Sequence, residues 1–82
     1  MKHTCLVCGF PLLKEAPRSK SDVGSYEICP SCGFQFGVSD DDLGFTYATW
    51  RTKWKRGGMK WSSKQKPPAR WNPLTQITKF KP

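Results

Sequence analysis

Apolar positions along this chain come in short runs that change period about half-way. Phe34, Phe36 and Val38 alternate with Gln35 and Gly37, the two-residue period of a strand covered on one face. Tyr26-Glu27-Ile28 reads as a second strand running into Cys29, and Phe10-Pro11-Leu12-Leu13 as a short extended stretch. Residues 14–25 are polar and broken by Pro17 and Gly24, so they predict an exposed loop. Leu43, Tyr47, Trp50 and Trp54 then recur at four, three and four residues, one face of a helix within 43–56. Ser39-Asp40-Asp41-Asp42 reads as the start of that helix, with its acids near the positive end of the dipole. Thr46 is the alternative N-cap if Gly44 breaks the first turn. A calcium loop is the weaker reading of the three acids, because no glycine sits at the turn and no glutamate closes it. Lys53, Lys55 and Arg56 followed by Gly57-Gly58 end the helix as dipole and capping chemistry favour. Beyond it Pro67-Pro68 imposes an extended path, with Trp71, Leu74 and Ile77 as anchors that dock the tail, and Lys79 to Pro82 are expected to fray.

So short a chain usually needs a staple, and its cysteines provide one. All four lie in two C-x-x-C-G-F units, Cys5 to Phe10 and Cys29 to Phe34, with 20 residues between Cys8 and Cys29. Each unit brings two sulfurs together, and two units facing each other make the tetrahedral S4 site of structural zinc. Cys5, Cys8, Cys29 and Cys32 are therefore the expected ligands of one zinc ion. Two disulfides are the competing reading; Met1 to Thr4 lead straight into Cys5 with no apolar signal segment, which favours a reducing cytoplasm and metal. Iron is the other competitor, since tetrahedral sulfur suits either ion. Phe10 and Phe34 occupy equivalent places in the two units and are expected to keep water off the sulfurs. The expected architecture is a small metal-stapled α+β domain. It comprises a zinc ribbon over 1–39 with a two- or three-stranded antiparallel sheet, one amphipathic helix in 40–58 and a basic extension over 59–82.

Charge is divided as sharply as periodicity. The net charge is +8, yet residues 1–42 hold four Lys/Arg against six Asp/Glu, while residues 43–82 hold ten Lys/Arg and no acid. Such a basic half attracts a polyanion. Arg51, Lys53, Lys55, Arg56, Lys60, Lys64, Lys66 and Arg70 are the candidate contacts, with Trp61 as a candidate stacking residue; Trp50 and Trp54 are assigned to the core.

The stretch from Gly24 to Cys32, Gly-Ser-Tyr-Glu-Ile-Cys-Pro-Ser-Cys, resembles the second knuckle of the cysteine-rich CPCC domain, a group of small bacterial zinc-ribbon proteins. Tyr47, Trp50-Arg51, Trp54, Gly57-Gly58, Trp61, Pro67-Pro68 and Trp71-Asn72-Pro73 also look like the C-terminal continuation of such proteins. The first pair departs from that pattern, reading Cys5-Leu6-Val7-Cys8 rather than C-P-C-C. The two knuckles are also similar to those of rubredoxin, an iron electron carrier, but a basic chain with a tryptophan-rich tail departs from that compact acidic pattern. The resemblance implies a metal-held fold and carries little function.

Catalysis is disfavoured. Four thiolates would close the coordination sphere, and His3 is the lone histidine, with no nucleophile set or phosphate loop beside it. No run of 18 apolar residues indicates a membrane span. The expected partner is DNA or RNA. The alternative is an acidic protein, bound by an adaptor, inhibitor or immunity-type module; no membrane or small-molecule substrate is expected.

Overall fold

The computed structural model describes residues 2–81; Met1 and the last residue of the tail, Pro82, lie outside it. The two cysteine units fold into near-identical turns. In the first, the Gly9 amide donates to the Cys5 carbonyl at 3.0 Å and the Cys5 amide to the Phe10 carbonyl at 2.8 Å. In the second, Gly33 donates to Cys29 at 2.8 Å and Cys29 to Phe34 at 2.9 Å. Each turn closes only because its glycine takes a left-handed conformation, with φ of +84° at Gly9 and +82° at Gly33.

Around these turns the expected ribbon is sparse. Among the described residues, backbone pairing consists of isolated antiparallel bridges, His3 with Leu13, Arg18 with Gly24 and Ile28 with Gln35. Two local features keep them from growing into a ladder. Tyr26 has φ of +63°, which bends the chain just before Ile28. After Gln35, polar side chains take the amides: Ser39 Oγ accepts from Gln35 at 3.1 Å and Asp40 Oδ1 from Gly37 at 2.7 Å, turning the chain instead of extending it. The alternation at Phe34 and Phe36 survives as burial, since both are fully enclosed.

The first helix, α1 (Tyr47–Arg56), begins later than the three aspartates suggest. Thr46 caps it, and Thr46 and Thr49 exchange side-chain to backbone bonds in a capping box. No acid sits in its first turn. Asp40 and Asp41 serve Arg18 instead, which reaches Asp40 at 2.6 Å, Asp22 at 2.8 Å and Asp41 at 3.0 Å. This network pins residues 18–22 to the turn at 40–41. Leu43 accordingly lies before the helix and is exposed. Helix α1 ends where its cations and Gly57 predict, the Gly57 amide donating to the Lys53 carbonyl.

The tail carries a second helix where the proline pattern predicts extended or frayed chain. Helix α2 (Pro73–Phe80) has Asn72 as its N-cap, accepting from the Thr75 amide, Pro73 in its first turn and Lys81 in a left-handed C-cap. Asn72-Pro73 is a helix-start signal, and Leu74 and Ile77 supply the apolar spacing. Only Ile77 of the pair is buried, while Leu74 faces out.

The core is the four cysteines with Val7, Phe10, Leu13, Phe34, Phe36, Trp54 and Ile77. Phe34 is central: its ring lies 4.9 Å from Phe36 and 5.5 Å from both Tyr47 and Trp50, all edge-on. Phe10 has a separate aromatic set, Trp61 at 5.6 Å and, beyond it, Trp71 at 5.0 Å from Trp61. The two phenylalanines thus anchor different parts of the C-terminal half, α1 on Phe34 and the tail on Phe10. Full burial of such a ring stabilises by roughly 1.5–3 kcal/mol.

Gly9 touches α2 so closely that a Cβ there would lie 2.4 Å from Phe80 Cβ. Gly44 has a similar φ of +78° but nothing within 4 Å. Gly44→Ala should therefore cost only the left-handed strain, about 1–2 kcal/mol, whereas Gly9→Ala should cost more and unseat α2. Denaturant unfolding followed by tryptophan fluorescence checks this; equal losses would mean that α2 does not depend on contact with the knuckle.

Candidate metal centre and basic face

The two knuckles point their sulfurs at one another. Cys5 Sγ lies 3.8 Å from Cys32 Sγ and Cys8 Sγ 3.7 Å from Cys29 Sγ, and all four lie within 4.8 Å of one another. A disulfide requires about 2.0 Å, so these are four thiols and not two bridges. A regular tetrahedron with metal–sulfur bonds of about 2.3 Å has edges of about 3.8 Å. The four cysteines fit one metal ion on that criterion, and among the described residues they form the cluster that can hold one. They are 0–5% exposed. His3 stands outside this set and pairs its backbone with Leu13 at 2.9 Å in both directions.

Packed together as thiols, the cluster supports little negative charge. Hydrogen bonds with Cys29, Cys32 and Cys8 hold the Cys5 thiol well below the usual range, while bonds with Cys29, Cys5 and Cys8, with burial, push Cys32 far up. A dication is what would let all four ionise together.

What holds the knuckles comes from the C-terminal half, through donors aimed at their carbonyls. Arg51 of α1 donates from Nε to the Val7 carbonyl at 2.6 Å and from Nη2 to Leu6 at 3.1 Å. Gln76 of α2 donates from Nε2 to the Cys8 carbonyl and to Ser31 Oγ, both at 3.1 Å, so one amide ties the two knuckles together. Gln76 Oε1 accepts from Trp71 Nε1 at 3.0 Å, which fixes the orientation of that amide. On the second knuckle Trp50 Nε1 donates to the Cys32 carbonyl at 2.9 Å, and the Ser62 and Ser63 amides donate to Pro30. Sequence reasoning misses Gln76, because a lone glutamine five residues after a tryptophan carries no recognisable signal.

The candidate partner-binding residues divide accordingly. Arg51 is half-buried and committed to the first knuckle. Trp61 is held edge-on between Phe10 and Trp71 and donates its indole N–H to the Gln65 carbonyl at 2.6 Å, which leaves it a packing residue. Lys53 lies over the Trp50 ring, 4.6 Å from its centre, and over Phe45 at 5.4 Å. Lys53, Lys55, Arg56, Lys60, Lys64, Lys66 and Arg70 are exposed. Among the described residues every ion pair runs through Arg18, so none of these seven is neutralised by a carboxylate.

No protein-family model matches the chain, and no solved structure matches it. The chain is similar to the uncharacterized protein YoaQ of Bacillus subtilis (strain 168), with 34% identity over 71 residues, 70% of this chain and 60% of that protein. It thus spans about 60% of the length of that relative, which brings no activity with it. No helix is long and apolar enough to cross a membrane among the described residues.

Truncating Arg51 leaves the Leu6 and Val7 carbonyls without their side-chain donor beside the sulfurs. Arg51→Ala should weaken metal binding by about 10–100-fold, the usual effect of losing a partner just outside the ligands, with Arg51→Lys in between. Competition with a chromophoric chelator measures it, and unchanged affinity would assign Arg51 to the surface.

Proposed function

We propose that this protein is a non-enzymatic module of zinc-ribbon type, built on one structural zinc ion, whose basic C-terminal half binds nucleic acid. The observation that carries the binding reading is the set of seven exposed cations, from Lys53 to Arg70, that have no carboxylate partner among the described residues, in a half of the chain that contains no acid. Such a surface gains free energy by releasing counterions from a phosphate backbone. Zinc is favoured over iron because the buried sulfurs are tied to a basic, tryptophan-rich body rather than to an acidic carrier's shell. Four thiolates on zinc leave no open position for substrate, which supports a scaffold and not a catalyst. Four closely packed reduced thiols suit the cytoplasm. Membership of the CPCC group rests on the sequence resemblance alone.

Zinc content near one ion per chain in colourless protein is the expected result of elemental analysis, and visible charge-transfer absorption would substitute iron. Removing the ion should abolish circular dichroism structure, because binding energies on the order of 10 kcal/mol are then folding energy. Binding to labelled single-stranded DNA or RNA at low salt should weaken linearly with log salt, by about 0.7 log units for each phosphate neutralised. A complex absent at low salt, or indifferent to salt, overturns the nucleic-acid reading.

A further inference from the structure

A groove of about 500 Å³ runs between the first knuckle and α2, on the same side as the end of the proline segment. Pro11, Leu12, Trp71 and Phe80 contribute its apolar walls, and Arg70 and Lys79 line it with no carboxylate beside them among the described residues. Leu12 is 43% exposed, an apolar side chain left uncovered next to two free cations. Trp71 is held rigidly there, edge-on to Trp61 and bonded through its indole N–H to Gln76. Two of the polar side chains in the lining are committed to the fold, while the Thr4 and Thr75 hydroxyls also line the groove. Asn72 caps α2 and Gln76 bonds the Cys8 carbonyl and Ser31.

From this we infer that the groove is the base-binding site for an unpaired nucleotide of single-stranded nucleic acid, the base resting on the apolar wall and its neighbouring phosphates on Arg70 and Lys79. The charge complementarity decides the occupant: an apolar wall whose charged lining residues are both cations calls for a flat apolar group that carries anions. The site takes its base chiefly by stacking on that wall, a contact that every base can make. This inference rests on the nucleic-acid reading above and locates its contact.

The test compares oligothymidylate with inorganic polyphosphate of matched charge, at one salt concentration, on the zinc-loaded full chain. Stacking of one base is expected to give oligothymidylate at least a fivefold advantage. Leu12→Glu and Arg70→Glu should remove that advantage, whereas Lys55→Glu, which matches the charge change of Arg70→Glu outside the groove, should weaken both ligands alike. Zinc content and far-ultraviolet dichroism of each variant confirm that the fold is intact. Equal affinity for the two ligands, or groove variants no worse than Lys55→Glu, overturns the base site while leaving polyanion binding in place. Failure to bind either ligand overturns both. Preference for an acidic peptide over oligothymidylate assigns the groove to a protein partner and also overturns the inference.

Discussion

Everything in this molecule depends on how the backbone around four buried sulfurs is held. A C-x-x-C turn exposes consecutive carbonyls on its outer side, and a buried carbonyl without a donor costs about 1–3 kcal/mol. The first knuckle solves this with Arg51 and Gln76, and the second with Trp50 and the amides of Ser62 and Ser63. None of these donors lies within the N-terminal half. The knuckles are therefore completed by the rest of the chain, and α1, the tail and α2 are positioned by what the knuckles lack.

That arrangement explains the separation of charge. The C-terminal half docks through neutral donors, aromatic edges and one arginine, so docking uses almost none of its cations. Its partner half, meanwhile, consumes its acids locally: Asp22, Asp40 and Asp41 gather on Arg18, and Glu27 accepts the Lys14 and Glu15 amides at 3.0 and 2.9 Å. Asp40 is partly buried, which opposes ionisation, yet the Gly37 and Asp41 amides and Arg18 hold its carboxyl below the usual range. Four of the six acids thus have structural partners, whereas among the described residues no lysine is paired with a carboxylate.

Much of the site is legible in the sequence because metal ligation is written in spacing. Two C-x-x-C-G-F units predict which sulfurs meet, and the structure brings those four together. The aromatic period predicts α1, and its glycine stop is legible too. What spacing does not show is competition for backbone amides. Phe34 to Val38 alternates as a strand does, but Ser39 and Asp40 take the amides that a ladder needs. Asp40 to Asp42 look like helix-start residues because sequence alone does not reveal that Arg18, 22 residues before Asp40, bonds Asp40 and Asp41. Helix α2 is obscured by Pro67-Pro68, whose extended habit stops at the left-handed Arg70, with φ of +65°, just before the Asn72 cap. Type and neighbourhood single out Arg51 and Trp61 as surface contacts, but residue type does not tell a cation that holds a carbonyl from one that faces water.

The metal centre and the groove are also one physical system. Gly9 closes the first knuckle, and Phe80, which walls the groove, packs directly against it. Gln76 bonds a knuckle carbonyl on one side and orients Trp71 on the other. An ion held by the four cysteines would brace the knuckle on which one wall of the groove packs, and so would be coupled to that groove. Linkage then works in both directions: whatever occupies the groove must favour the state that keeps the metal.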